Sequence, residues 1–384
     1  MFDLNTCIRK NILDLQPYRC ARDDFSEGIL LDANECSFGS VINDCGIEYN
    51  RYPDPRQNDL KRRFCDLRNK EHPLAKPLKP ENMVVGVGSD EIIDSLIRIS
   101  CVPGKDKILA CPPSYGMYSV SAKINDVQVV NVLLKPNFDL DIDAVYDTLS
   151  KDNSIKLVFT CSPGNPTAKA LKLDDVKKLL AHPTWNGIVV VDEAYIDFAS
   201  PEKTAISLVN DYPNLAVCQT LSKSFGLAGI RIGFCLTNPD IAAIMNSLKA
   251  PYNISQPTSS LAIKALSPES VSKMYEHRDR ALTQRDRLCK EITAIPGVGK
   301  IIGGLDANFI LVQVLSKPVN GVPSNDVARF VYLKMATDHK VVVRFRGTEP
   351  MCEGSLRITV GTESEVTAVL DTFRRTLEEY YSKN

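Results

Sequence analysis

The chain has 384 residues, 44% hydrophobic and 24% charged, with a formal net charge of -1 from 46 basic and 47 acidic side chains. So even a balance offers no broad basic face to a polyanion, which excludes nucleic acid as an expected partner. The longest apolar runs, such as 188–191, are far too short to span a bilayer, so no membrane partner is expected either.

The length predicts one large and one smaller domain. The 12 cysteines are scattered, with no C-x-x-C pair. Cys101, Cys161, Cys218 and Cys235 sit in apolar runs and read as small core residues with reduced thiols. The N-terminal stretch has no apolar core for a secretory signal, and Asp3 and Asp14 argue against a transit peptide, so the expectation is cytoplasmic.

From residue 83 onward, short apolar runs alternate with longer amphipathic ones. The run 83–87 reads as a strand, followed by helical spacing over 89–100. The run 107–110 precedes a helix over 115–124, and a strand over 128–134 precedes a helix over 142–149. A strand at 157–160, a helix at 173–180 and strands at 187–191, 216–220 and 230–236 continue the theme. Fully apolar strands alternating with helices predict an α/β fold, with a mainly parallel central sheet covered by helices on both faces. Ligands of such sheets collect beyond the carboxyl ends of the strands. The texture changes near residue 270. A long charged helix over 271–295 leads to a strand at 307–314, a helix at 326–337, strands at 341–345 and 356–360, and a terminal helix at 363–381. This predicts a smaller α+β domain over 271–384 after a large ligand-binding domain over 46–270.

Two strand ends carry polar groups that a core would reject. The run 187–191 leads into Asp192-Glu193-Ala194-Tyr195, and 216–220 leads into Leu221-Ser222-Lys223-Ser224. Taken alone, Asp192 reads as a helix N-cap. Together, an acid and a lysine at the mouths of two strands fit a particular chemistry. A partly desolvated lysine can lose its proton and form a Schiff base with an aldehyde. A carboxylate can keep a pyridine nitrogen protonated, as pyridoxal 5'-phosphate requires. The sequence Val84-Val85-Gly86-Val87-Gly88-Ser89-Asp90 reads as strand, glycine turn and helix start, where free N–H groups and the helix dipole favour a phosphate. The Asp90 carboxylate would repel that phosphate, so its side chain is expected to turn away while its N–H binds. Ser222 and Arg231 can add a hydroxyl and a bidentate guanidinium. Tyr115 can stack on a ring, and Asn165 and Tyr195 can hydrogen-bond a ring oxygen. Each also has a plain structural reading: Asn-Pro opens turns, and tyrosines cap cores.

The segments PYRCARDD (from Pro17), LDANE (Leu31), NRYPDP (Asn50), GVGSDE (Gly86), PPSYGMY (Pro112), SPGNPT (Ser162), VVVDEAYIDF (Val189), TLSKSFGLAGIRIG (Thr220), GLDANF (Gly304), VVVRFRG (Val341) and LRITVGT (Leu356) cover nearly the whole chain. In this order they resemble the fold type I pyridoxal phosphate-dependent aminotransferases, and within them the members that act on histidinol phosphate. The resemblance implies that Lys223 joins the cofactor covalently and then shuttles a proton, that Asp192 pairs with the ring nitrogen, and that Tyr115 stacks on the ring. It implies that Tyr195 and Asn165 hold the 3'-oxygen, and that Ser89, Asp90, Ser222 and Arg231 hold the phosphate. Tyr52 would reach that phosphate from a neighbouring subunit, which implies a homodimer with shared sites. Arg357 is where the family binds a substrate carboxylate. With Arg344 it would accept the phosphate of one substrate and the carboxylates of the other. Tyr18, Asn34, Tyr52 and Asn165 resemble positions near the substrate, and Arg346 is a further candidate. The resemblance also implies that an N-terminal segment, 1–45, packs with the small domain and the active site. On a strand, Arg344 and Arg346 can also be simple solvated residues.

Two departures stand out. The family's glycine after Asn-Pro-Thr is here Ala168, which is expected to adopt ordinary backbone geometry. Asp32 replaces a usual asparagine and is assigned no role. The reaction implied is the reversible conversion of L-histidinol phosphate and 2-oxoglutarate to imidazole acetol phosphate and L-glutamate, in histidine biosynthesis. An aromatic aminotransferase or a phospho-amino-acid decarboxylase on the same fold is the alternative, and a non-catalytic ligand-binding descendant is a remoter one. A Rossmann dehydrogenase is excluded because no G-x-G-x-x-G opens a βαβ unit.

Overall fold

The structure is a computed structural model and describes residues 2–15, 32–37, 39–42 and 48–383. Tyr18 and the surrounding PYRCARDD segment lie outside the described residues.

Seven strands form the main sheet: β1 (Met83–Gly86), β2 (Lys107–Ala110), β3 (Gln128–Asn131), β4 (Ile155–Cys161), β5 (Ile188–Asp192), β6 (Leu215–Thr220) and β7 (Gly233–Thr237). Their order is β1-β7-β6-β5-β4-β2-β3. β7 runs antiparallel to β1 and β6, while the β2–β3, β2–β4, β4–β5 and β5–β6 pairs are parallel. Every residue of β1, β5, β6 and β7 is buried. That is why these strands read as continuous apolar runs rather than as alternation. Alternate residues feed two cores: Val189 and Val191 join one, Ile188 and Val190 the other. Helices Asn58–Glu71, Ile142–Lys151 and Leu173–Leu180 pack on the first face, and helices Gly88–Ser100, Met117–Ile124 and Pro239–Leu248 on the second.

A second sheet, β8 (Val298–Ile302), β9 (Phe309–Val314), β10 (Arg344–Phe345) and β11 (Ser355–Thr359), is antiparallel in the order β10-β11-β9-β8. It shares a separate core with helices Asn325–Asp338 and Glu363–Lys383. The boundary expected at 271 falls inside the continuous helix Pro268–Ile292. Its Val271 belongs to the large core and its Leu288 and Ile292 to the small one. Among the described residues no helix is long and apolar enough to cross a membrane.

Several elements differ from the sequence reading. β8 was not anticipated: its residues are only half-buried and carry Gly299 and Lys300. The strand expected over 230–236 starts only at Gly233, because Ala228–Ile230 forms a 3₁₀ turn and Arg231 is left-handed at φ 54. Ala168 does not sit in ordinary backbone; its φ is 52. The turn explains this. Gly164 N donates to Lys169 O (2.9 Å) and Ala168 N to Gly164 O (2.8 Å). The fully buried Ala168 methyl packs with Ala307 and Phe309, which offsets a left-handed cost of roughly 1 kcal/mol. The same turn is where the second sheet approaches the first. Gly304 N donates to Thr167 O and Asp306 N to Ala168 O, both at 2.8 Å. At Gly303 (φ +87) an added Cβ would lie 1.9 Å from Thr167 O, so only glycine fits.

Candidate active site

A cavity of about 220 Å³ opens beyond the carboxyl ends of β4, β5 and β6. Ser89, Asp90, Tyr115, Asn165, Asp192, Tyr195, Ser222, Lys223 and Arg231 all line it. Cys161, Ala194, Thr220 and Ala228 also line it and were not anticipated.

Asp192 ends β5 and is 2% exposed. Its Oδ2 accepts a hydrogen bond from Tyr118 Oη at 2.8 Å, and its Oδ1 accepts from Ala194 N at 3.2 Å. Burial pushes its carboxyl up to about 6, and the bond from Tyr118 works against that rise. Tyr118 is fully buried, stacks on Phe159 (4.8 Å) and meets Tyr115 edge-on (5.7 Å). Sequence reading missed it. The signal was available in PPSYGMY, where the second tyrosine falls on the buried face of a short helix.

Lys223 follows β6. Much of its side chain meets solvent, and its Nζ lies 5.5 Å from the centre of the Tyr195 ring. Lost hydration, followed by repulsion from Arg357, pushes its ammonium below the ordinary lysine value. Tyr195 packs edge-on against Phe309 at 5.0 Å, and burial raises its phenol to about 12.

At the other end, Ser89 and Asp90 open helix Gly88–Ser100. Gly88 has φ +75, and a Cβ there would lie 2.5 Å from Arg231 Nη2. The left-handed backbone favours glycine, and the turn sets the first helical N–H groups near the Arg231 guanidinium, as a phosphate site requires. The Asp90 carboxylate does not turn away from the cavity, contrary to expectation. Its Oδ2 lies 3.6 Å from Arg231 Nη2 and its Oδ1 accepts from Tyr115 Oη at 3.1 Å. Pairing with the guanidinium, rather than outward rotation, resolves its charge conflict. Ser222 Oγ accepts from Thr220 Oγ1 at 2.9 Å.

Above the cavity, Asn165 Oδ1 accepts from Arg357 Nη1 at 2.5 Å and from Arg346 Nη2 at 3.4 Å. That engagement commits the amide oxygen and leaves the Asn165 NH₂ as a donor. Arg346 also pairs with Glu349 at 2.6 Å. The Nε atoms of Arg346 and Arg357 and Oε2 of Glu349 are buried and unpaired among the described residues. Burial and the charge of Arg346 push Arg357 below the ordinary guanidinium value. Arg344 lies opposite Arg357 in register but is exposed. Tyr52 is not in the cavity of its own chain: it is 51% exposed and stacks on Tyr252 at 4.5 Å. Asn34 is exposed, left-handed at φ 56, and precedes Glu35, which accepts from Arg51 Nη1 (2.7 Å) and Tyr52 N (2.6 Å).

The donor set fits pyridoxal phosphate. It has an amine for the aldehyde, a buried carboxylate for the ring nitrogen, Tyr195 and Asn165 for a ring oxygen, and a cradle for the phosphate. The family model for aminotransferase class I and II matches residues 26–373. The chain belongs to this family. It is 73% identical to the histidinol-phosphate aminotransferase of Schizosaccharomyces pombe over 100% of both chains. It is 47% identical to that of Saccharomyces cerevisiae, with 98% of each covered. Among solved structures, the fold is similar to a histidinol-phosphate aminotransferase from Sinorhizobium meliloti in complex with pyridoxal-5'-phosphate. The TM-score is 0.74 at 22% identity, covering 91% of this chain and 90% of that one.

Proposed function

We propose that the chain transfers the amino group of L-histidinol phosphate to 2-oxoglutarate, giving imidazole acetol phosphate and L-glutamate, reversibly, in histidine biosynthesis. Pyridoxal phosphate is its cofactor. The observation that carries the reading is one cavity holding both an amine with a lowered proton affinity and a fully buried carboxylate. The full-length relatedness to histidinol-phosphate aminotransferases supports the substrate.

When bound, the cofactor supplies an aldehyde for amine exchange and a protonated ring that draws electrons from the substrate carbon. Ser89, Asp90 N–H, Ser222 and Arg231 hold its phosphate. Asp192, oriented by Tyr118, holds the proton on the ring nitrogen. Tyr115 packs against the ring, and Tyr195 Oη and Asn165 NH₂ hold the 3'-oxygen. Lys223 Nζ, poised to lose its proton, would take the proton from the substrate carbon and, as the ammonium, give it up to the cofactor carbon. Arg357 and Arg346 converge on Asn165 with unpaired N–H groups, so they can receive either a phosphate or a carboxylate. Arg344, exposed on its strand, adds charge, and the family resemblance assigns Asn34 to the substrate side. Tyr52, exposed on its own chain, reaches the phosphate of a partner subunit, so the working form is a cytoplasmic homodimer with shared sites.

Borohydride reduction of the cofactor-loaded protein followed by peptide mass mapping tests the core of this reading: the label is expected on Lys223. Steady-state rates with histidinol phosphate against phenylalanine test the substrate. A preference for phenylalanine would move the assignment to the aromatic aminotransferases.

A further inference from the structure

Beside the lysine turn lies a second set of charged groups, buried or half-buried, four of whose members line a separate pocket. Its hub is Arg68, on helix Asn58–Glu71 and 2% exposed. Arg68 Nη1 lies 2.7 Å from Asp197 Oδ1 and 2.8 Å from Glu71 Oε2. Its Nε donates to Gln219 Oε1 at 2.8 Å, and Gln219 Nε2 donates to Glu193 Oε2 at 2.8 Å. The second oxygen of Asp197 accepts from Ser224 Oγ, and Tyr275 Oη donates to Glu71.

The endpoints of this network are significant. Ser224 immediately follows Lys223, and Glu193 immediately follows Asp192. Tyr275 lies on helix Pro268–Ile292, which runs from the large core to the small one. Arg68, Glu193, Asp197, Gln219, Ser224 and Tyr275 are absent from the cavity lining. A buried guanidinium with two carboxylates is close to neutral for stability against well-packed apolar residues, so folding energy alone is a weak reason to keep it. The lysine turn itself is held by few backbone bonds. Gly226 N donates to Lys223 O and Leu227 N to Leu221 O, both at 3.1 Å.

Resting on the reading of Lys223 as the cofactor lysine, we propose that Arg68 is a positioning residue for it. Through Asp197 and Ser224, Arg68 holds the turn that presents Lys223 to the cavity. Through Glu71 and Tyr275, it ties that turn to the helix joining the two cores. Burial opposes the charge on both Arg68 and Asp197, but their mutual attraction, with Glu71, outweighs it, so Arg68 is driven further toward its charged form and Asp197 is held below the usual carboxylate range.

Two single-hydroxyl removals test this without emptying the core, where Arg68 variants can fail to fold. In the cofactor-loaded protein, Ser224→Ala is expected to lower kcat roughly tenfold, because a small displacement of a catalytic group is costly. KM for both substrates, cofactor affinity and Tm stay close to wild type. The pH titration of the bound cofactor's visible absorbance shifts. The charges that act on the Lys223 amine, from Arg357, Asp192, Arg231 and Asp90, are all left in place. Ser224→Thr restores both readouts. Tyr275→Phe gives a smaller loss of kcat, and the double variant loses no more than Ser224→Ala alone, as one chain of contacts demands. Additive losses, or a fall in Tm with kcat and titration unchanged, would overturn the proposal. Borohydride trapping of the wild-type chain separates the two claims. A label on another lysine sinks both, whereas a label on Lys223 with unchanged Ser224→Ala kinetics sinks only the network.

Discussion

The floor of the cavity and its rim hold charge in opposite ways. On the floor, built from the main sheet, Asp192 is fully buried, held by Tyr118 and the Ala194 N–H, and flanked by strands with no exposed residue. On the rim, built from the small sheet, Arg346 and Arg357 converge on Asn165 while Arg344 stays exposed beside them, with Glu349 as the one bonded carboxylate among the described residues. Burial on the floor disfavours the ionised carboxylate but fixes a single geometry, which proton transfer needs. On the rim, the Nε donors of Arg346 and Arg357 have no partner among the described residues, which suits the proposed site for both a phosphate and a carboxylate. On the proposed reading, the chemistry sits on the buried layer and substrate choice on the more exposed one.

Four experiments break or sharpen that contrast. The largest effect is expected at the floor. Lys223→Ala should cut turnover by on the order of 10³-fold or more while the phosphate cradle still binds cofactor, as seen by steady-state rates and equilibrium dialysis. Turnover within tenfold of wild type would remove the floor from the reaction.

The rim should respond by degrees. Arg357→Lys is expected to lower kcat/KM for both substrates by roughly 10²-fold, and Arg346→Gln by roughly tenfold, since one charge-assisted bond is worth about 1.5–3 kcal/mol. The loss at Arg346 should be greater for histidinol phosphate than for glutamate, because phosphate carries the larger charge. Equal losses for the two substrates would mean that Arg346 merely supports Asn165.

A third measurement separates function from stability on the floor. The Asp192 carboxyl is raised from 3.8 to about 6. The unfolded chain releases this proton at lower pH than the folded one, so stability falls as pH rises through the interval and the loss is complete above about 6. In cofactor-free protein, Asp192→Asn should therefore raise stability by roughly 3 kcal/mol above that interval and lose the advantage below it, read as Tm against pH. A destabilised variant at neutral pH would show that the Tyr118 bond outweighs burial.

The smallest effect is expected where floor and rim are joined. In Ala168→Gly, relief of the left-handed strain opposes loss of a buried methyl and a freer unfolded chain. These terms are each about 1 kcal/mol, so stability should change by less than that. A loss beyond about 2 kcal/mol would make packing against Phe309 the dominant reason for alanine.

Much of the floor was legible in the chain because it obeys local rules. Apolar runs that end abruptly in Asp192 or Ser222-Lys223 mark strand mouths, and a glycine turn before Ser89 marks a helix start that favours an anion. Tyr118 was legible only as the second tyrosine of PPSYGMY on the buried face of a short helix; that it bonds Asp192, 74 residues away, was not. The rim was harder. Arg344 and Arg346 are equivalent by alternation. They differ because β10 stops at Phe345, and the turn that follows places Glu349 against Arg346 while Arg344 stays in solvent. Arg68 carried no signal at all, being one cation among many on a charged helix.

The linear order of residues determined the layered α/β architecture, the pairing of an acid with a lysine and the anion-binding turn. Each of these depends on neighbours a few positions away, through side-chain periodicity and backbone freedom. Only the tertiary structure decided which two arginines face Asn165, which tyrosine holds Asp192, and why Ala168 tolerates a left-handed turn. Those outcomes depend on burial and on groups far apart in the chain, and neither exists until the two cores have closed on each other.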